Sequence, residues 1–466
     1  MVRSIAKAQT KLEKEEMRGK NLPLLIILLI LPLAFDYKAA DGSQSHGLQI
    51  ALVVPSLICG FLLALIGPRF SDKVQLPSLM TTALTLTIVG SVVPQFLQGN
   101  DVGDYFRVIL AFVLFFVGYL AGCHPWSESR MKAFDRYLFV GMALSMVASF
   151  GYGLAAGGSI EEVRYRIVSP VLLGFQGVLL YDIVVRRAHG KVNVAFLIAT
   201  LTIELLSVTR SLLVGTILLF CFATWLAAPT VGHLAKSLLR TFVVAATLGG
   251  VVAAGAAWIF PSVLDHWSQR IFFAQGTQSG KDPTTISRLA EVQNQYDQVT
   301  STTTSLLTGM GYGHHFGYAQ DYIFELLEFS KREDLEAINS WSAGHNFWVY
   351  QFFAGGILFG LALPASLLYV IYRCAMSYRR WRRKIPETLY LHVVGRNLMV
   401  IFGMFATTIG GNPLGPRYSG LVFGLALGLL VAGHCKGVAM IRASRVLHAE
   451  TSRRINRAQG GEPLRS

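Results

Sequence analysis

The chain of 466 residues is 53% hydrophobic and only 15% charged, with a mean hydropathy of +0.48. Soluble globular proteins carry about 25% charged residues. These figures therefore exclude a soluble domain and, with repeated apolar runs of about 20 residues, place the chain among polytopic membrane proteins. The net charge of +14 is not a nucleic-acid footprint, because it follows the membrane topology.

A basic segment, residues 1–21, opens the chain. Residues 22–260 hold predicted spans at 22–36, 47–67, 76–97, 104–122, 137–157, 167–185, 193–209, 212–229 and 241–260. The first span has the basic flank of a signal peptide. Lys38-Ala39-Ala40 makes a poor small-x-small cleavage site, however, so the segment reads as a retained helix. A long loop, 261–345, follows. Residues 346–434 supply further spans at 346–372, 390–411 and 418–434, and a basic tail, 435–466, ends the chain. The predicted fold is an all-α polytopic membrane protein of about 12 transmembrane helices, with a large helical periplasmic loop. With the N-terminus inside, 29 Lys and Arg fall on the cytoplasmic side and 11 outside, and Arg396 lies within a span. Both termini are then cytoplasmic. The run Arg379–Lys384 reads as a stop-transfer and lipid-headgroup segment. Cys59, Cys123, Cys221, Cys374 and Cys435 all map to spans or cytoplasmic ends, which leaves no exported disulfide and no C-x-x-C metal spacing.

The 261–345 loop carries ten acidic and five basic residues, with turn signals at Gly276, Gly280, Asp282-Pro283 and Gly309-x-Gly311-x-Gly313. Loops this long are uncommon without structure, so a small folded cap is expected. Ser287 is a candidate N-cap for a helix with an apolar face of Leu289, Val292, Tyr296 and Val299. A second amphipathic stretch runs from Tyr322 to Phe329. Both suit a surface helix or the roof of a cavity.

Ionisable groups at or inside a bilayer are functional suspects, since burying them costs several kcal/mol. His345 stands at the lip of a predicted span in GHNFWVYQFFAGG, followed by Asn346, with Trp341, Phe347, Trp348 and Tyr350 as an aromatic belt. It is either an interfacial anchor or a general base. Arg210, in LLSVTRSLLVG, is held at the outer face by the tight link between two spans. It either snorkels or grips a phosphate with its bidentate fork. Arg288, in TTISRLAEV, is either a solvated arginine or a second contact to the same diphosphate, near helix-start N–H groups. Glu204 lies within a span, roughly 9 Å below Arg210, where it pairs with Arg396 or serves the site. Arg417, in GGNPLGPRYS, is a further basic candidate. There is no G-x-x-x-x-G-K-[ST] loop, no Asp-x-Asp pair and no His/Glu cluster for a metal. A site handling phosphate without metal neutralises charge with arginines.

The order of these features resembles the O-antigen ligase and polymerase family of bacterial envelopes. The resemblance rests on T-R-S at Arg210, S-R-L-x-x-V at Arg288, the glycine-rich 309–313 stretch and H-N at 345–346. An H-x10-G signature joins His345 to Gly356. The family's R-x3-L is met with Val292 in place of leucine. The match covers about residues 193–372. It implies a metal-independent, inverting glycosyltransferase without cofactor, facing the periplasm. Its donor would be a glycan on undecaprenyl pyrophosphate. The acceptor would be lipid A–core in a ligase, or a lipid-linked glycan in a polymerase. His345 would take the acceptor proton and Arg210 and Arg288 would bind the diphosphate, with Glu204, Arg417 and Asn346 as accessories. A lipid-linked oligosaccharide flippase is the alternative from another class, but it expects internal repeats and broken midplane helices.

Overall fold

The computed structural model describes residues 22–38, 45–70, 75–259, 267, 282–340, 342–383 and 388–459. In lipid, every peptide N–H and C=O has to be satisfied within the protein, and the apolar runs accordingly form helices. The first half of the bundle comprises α1 (Leu22–Ile30), α2 (Ser45–Ile66), α3 (Gln75–Gly90), α4 (Val92–Gln98), α5 (Val102–Gly122) and α6 (Glu128–Ala155). A short α7 (Ile160–Arg166) leads to α8 (Leu172–Leu180), α9 (Lys191–Leu206), α10 (Arg210–Ala227) and α11 (Val231–Ile259). The cap contains α12 (Pro283–Thr300), α13 (Thr303–Thr308), α14 (Gln320–Leu326) and α15 (Arg332–Glu336). The chain re-enters the bundle through α16 (Phe347–Gly355), α17 (Ala362–Arg382), α18 (Leu389–Ala406) and α19 (Ser419–Gln459). Among the described residues there is no strand, only an antiparallel bridge between Phe316 and Ser340.

The protein is an all-α polytopic membrane protein. By length and composition, 8 helices among the described residues can cross a membrane, or 9 when the pair Phe347–Gly360 and Ala362–Arg382, bent by 89°, is taken as one span. Twelve spans are expected from the sequence. The remainder fall on Leu22–Phe35 and Leu172–Val185, which are apolar but short, and on α9, which is 16 residues long. Each of these segments packs against longer helices. Leu172 to Asp182 is buried throughout, so its apolarity reflects a protein interior as much as lipid.

The core forms where helices can approach closely. Along α19, Gly420, Gly424 and Gly428 face α5, where any added Cβ would run into the Ala111, Phe115 and Tyr119 carbonyls. Gly118 and Gly122 of α5 answer from the other side, with Leu421 and Leu425 backbone oxygens 2.8 Å from an added Cβ. Lipid supplies no hydrophobic drive between helices, so small residues that bring backbones together supply the packing. The pair α5–α19 forms the centre of the bundle, while α2, α3, α10 and α11 present apolar side chains outward.

The cap begins earlier than the sequence suggests. Asp282, not Ser287, caps α12: its side chain accepts from Thr285 N, with Pro283 in the first turn. Aspartate followed by proline suits these positions, because proline lacks the N–H that a helix start leaves unpaired. Gly276, Gly280 and Trp341 lie outside the described residues. The buried face of α12 is also rotated from expectation. Ile286, Ala290 and Val299 are buried, whereas Leu289 and Tyr296 are exposed. Ile286 and Ala290 join Ile323 and Leu326 of α14 and Leu335 of α15 in a separate small core. The aromatic belt is corrected as well, because Phe347 and Tyr350 are fully buried in protein.

Candidate active site where the cap meets the bundle

The site is assembled along α12. At its start, Asp282 forms an ion pair with Arg210, the first residue of α10. Two turns on, Arg288 donates to the Gly410 carbonyl in the link after α18. Gly410 in turn packs against Ser211 so closely that no side chain fits there. The two arginines predicted to share a diphosphate therefore meet at one corner of the cap. Burial lowers the pKa of Arg288 from its usual value, and the nearby Glu291 and Asp282 oppose that effect. Arg210 does not stand alone, since the Asp282 carboxylate occupies the place an anionic ligand would take.

One turn beyond Arg288, Glu291 faces the same way. Its carboxylate grips His345 twice: Oε1 accepts from the His345 backbone N–H at 2.8 Å, and Oε2 contacts Nδ1 at 2.7 Å. Gln295, fully buried, donates to Oε1 at 3.3 Å. An ionised carboxylate only accepts, so the neutral imidazole carries its proton on Nδ1 and keeps a lone pair on Nε2. The His345 side chain is 64% exposed while that of Glu291 is 7% exposed. A buried acid thus holds an exposed base. Gly344 makes this possible, because a Cβ there would sit 2.7 Å from Glu291 Oε1.

His345 and Gly356 bracket α16, which explains their spacing. Asn346 is the N-cap, its side-chain oxygen accepting from Trp348 N at 3.0 Å and Val349 N at 3.1 Å. Its role is to start the helix. Gly356 ends it with φ +57°, where a Cβ would lie 2.6 Å from Gly309 N and from Leu307 O. The glycine-rich stretch satisfies the last carbonyls of α16, with Met310 N donating to Phe353 O at 2.8 Å and Gly311 N to Ala354 O at 3.0 Å. The H-x10-G spacing is therefore the length of one short helix, about 14 Å.

The turn carrying Arg210 is strained. Val208 has φ +51°, an unfavourable state for a β-branched residue that costs of order 1–3 kcal/mol. Ser207 Oγ donates to Glu204 O at 2.7 Å and Thr209 Oγ1 to Ser207 O at 3.2 Å, which pins the turn.

Other candidates lie apart. Glu204 does not pair with Arg396. It is fully buried, and its Oε2 accepts from Gln176 at 2.9 Å and from Thr216 at 2.8 Å. Arg396 pairs instead with Asp135 at 2.7 Å, which Asn397 also contacts at 3.2 Å. Asp135 takes the cation, while Gln176 and Thr216 bond only Oε2 of Glu204 and leave its buried Oε1 without a hydrogen-bond partner. Arg417 donates to Gln49 of α2 at 3.2 Å and makes no contact with His345, Arg210 or Arg288. Sequence reasoning missed Glu291 and Asp282. Glu291 lies inside the S-R-L-x-x-V stretch, one helical turn after Arg288, and that spacing was the available signal. In comparisons with known proteins, no family model and no curated protein matches the chain.

Proposed function

We propose that the protein is a membrane glycosyltransferase of the O-antigen ligase type, transferring a glycan from undecaprenyl pyrophosphate to a sugar hydroxyl of lipid A–core. In this reading the chain crosses the bacterial inner membrane twelve times, keeps both termini in the cytoplasm and works at the periplasmic face. The observation that carries it is the exposed His345 imidazole, clamped by buried Glu291 on the helix that also bears Arg288.

The acceptor hydroxyl attacks the anomeric carbon and forms the new C1–O bond. The bond from C1 to the diphosphate oxygen breaks, and undecaprenyl pyrophosphate leaves with the electron pair. The hydroxyl proton passes to His345 Nε2, and Glu291 stabilises the resulting imidazolium. General-base help of this kind contributes about 10²–10⁴ in rate. Negative charge grows on the leaving diphosphate, where Arg288 and Arg210 face it. The diphosphate competes with Asp282 for Arg210, so donor binding exchanges one anion for another without exposing the cation. Attack from the face opposite the leaving group inverts the anomeric centre.

The test compares purified wild type and His345→Ala in lipid, supplied with undecaprenyl-pyrophosphate glycan with and without lipid A–core. Glycan transferred to lipid A–core by wild type alone is the expected result. Lengthened lipid-linked glycan without the core acceptor would make the protein a polymerase. Equal transfer by the two proteins would remove His345 from the chemistry.

A further inference from the structure

At the end of the bundle opposite the cap lies a cavity of about 830 Å³. Its position follows from α19, which starts beside the Arg288-bound link and reaches the cavity at Lys436 and Arg442, roughly 25–35 Å further along the helix. Arg69, from the link between α2 and α3, Arg373 of α17, and Lys436 and Arg442 of α19 all line it. These cations come from three separate parts of the chain, and among the described residues no Asp or Glu lines the cavity. Lys436 is tied to the Trp126 carbonyl. Arg69, Arg373 and Arg442 make no ion pair among the described residues. The three are exposed, and they converge on one open-sided pocket. The rest of the wall mixes Gln75 and His434 with apolar side chains, of which Leu79 of α3 and Tyr369 of α17 reach the exposed flank of the bundle.

We propose that this cavity binds the phosphate headgroup of an anionic phospholipid, with an acyl chain lying along Leu79 and Tyr369. Several guanidiniums around one volume match a phosphate-bearing anion, since each presents a planar fork to phosphate oxygens. The exposed Leu79 and Tyr369 at its edge favour a lipid over a soluble phosphate. Basic pockets between membrane helices on the cytoplasmic side are suited to such headgroups. The charge distribution of the chain places this end there. The site does not depend on the reaction proposed for the cap.

The experiment uses delipidated full-length protein titrated with cardiolipin, phosphatidylglycerol or phosphatidylcholine, with bound lipid counted by native mass spectrometry. The double variant Arg373→Gln/Arg442→Gln is set against the charge-matched Lys132→Gln/Arg136→Gln, whose residues are exposed on α6 outside the cavity. Removing a cation near a lipid surface weakens anionic-lipid binding roughly fivefold, so the cavity double is expected to lose about 25-fold for cardiolipin and the control far less. Arg69→Gln, which leaves both helices untouched, is expected to lose about fivefold. Equal losses in the two doubles, or phosphatidylcholine bound as tightly as cardiolipin, would overturn the site. Displacement of cardiolipin by micromolar pyrophosphate would overturn the lipid and leave a soluble diphosphate as the ligand. Failure of millimolar pyrophosphate to displace it supports the lipid.

Discussion

At Glu291 a single carboxylate accepts two contacts from one residue, the His345 amide and its imidazole Nδ1. Glu291→Gln keeps the size but presents an amide that can donate to Nδ1, which moves the ring proton to Nε2 and, in the proposed reaction, blocks the base. Transfer rate is expected to fall about 10²–10⁴-fold with unchanged yield of folded protein; a near-normal rate would reduce Glu291 to a structural prop. Arg210→Lys keeps the charge and loses the fork, and its rate at saturating donor is expected to drop about 10²–10³-fold. Turnover like wild type would take Arg210 out of the mechanism. Glu204→Gln should be close to neutral in the same assay, because its Oε2 partners, Gln176 and Thr216, are neutral and can bond an amide in its place. His345, Arg288 and Arg210 were legible in the sequence, because charged groups beside apolar spans stand out. Glu291 was not, since the expected apolar face of α12 turned it toward solvent. The face that is buried mixes Ile286 and Ala290 with Glu291 and Gln295, and a periodicity built on apolar residues overlooks polar ones buried for their hydrogen bonds.

Among the elements, α16 shows how a spacing becomes a geometry. Asn346 starts it, Gly356 stops it, and the stop is enforced by a positive φ and by the nearby backbone of Leu307 and Gly309. Gly356→Ala meets both constraints and is expected to destabilise the protein by about 1–3 kcal/mol, read as a lowered thermal midpoint in detergent. Gly190→Ala is the comparison, because Gly190 has open space and a negative φ and should leave the midpoint almost unchanged. A drop at both positions would mean that loss of glycine itself, not the crowding at Gly356, is responsible. The amphipathic stretch 322–329 was legible as a helix only as far as Leu326, beyond which 327–329 form a turn. The start of α12 was placed too late because Asp282-Pro283 reads equally as a turn or as a capped helix start, and only the Thr285 bond decides it.

For the whole molecule, hydropathy located the apolar helices but not which of them form the centre. The spacing of Gly420, Gly424 and Gly428 was present in the sequence. It reads there as ordinary apolar chain, and only the opposing carbonyls of α5 give it meaning. The short apolar helices Leu22–Phe35 and Leu172–Val185 mark the limit of hydropathy, because a buried helix and a lipid-facing one have the same composition. Sidedness is checked in a chain lacking its five native cysteines. Tyr296→Cys, on the exposed side of α12, should react with a membrane-impermeant maleimide added outside intact spheroplasts, and Ala439→Cys only after permeabilisation. The reverse pattern would invert the orientation and put the cap in the cytoplasm. The cap also supplies half of the acid–base pair, since Glu291 comes from α12 and His345 from the threshold of α16. Under the proposed function, any movement that lifts α12 to admit a bulky donor would part the two, so an open site would be an idle one. In the proposed reaction, an activated lipid waiting there would be protected from water by the absence of a competent base as well as by the roof itself.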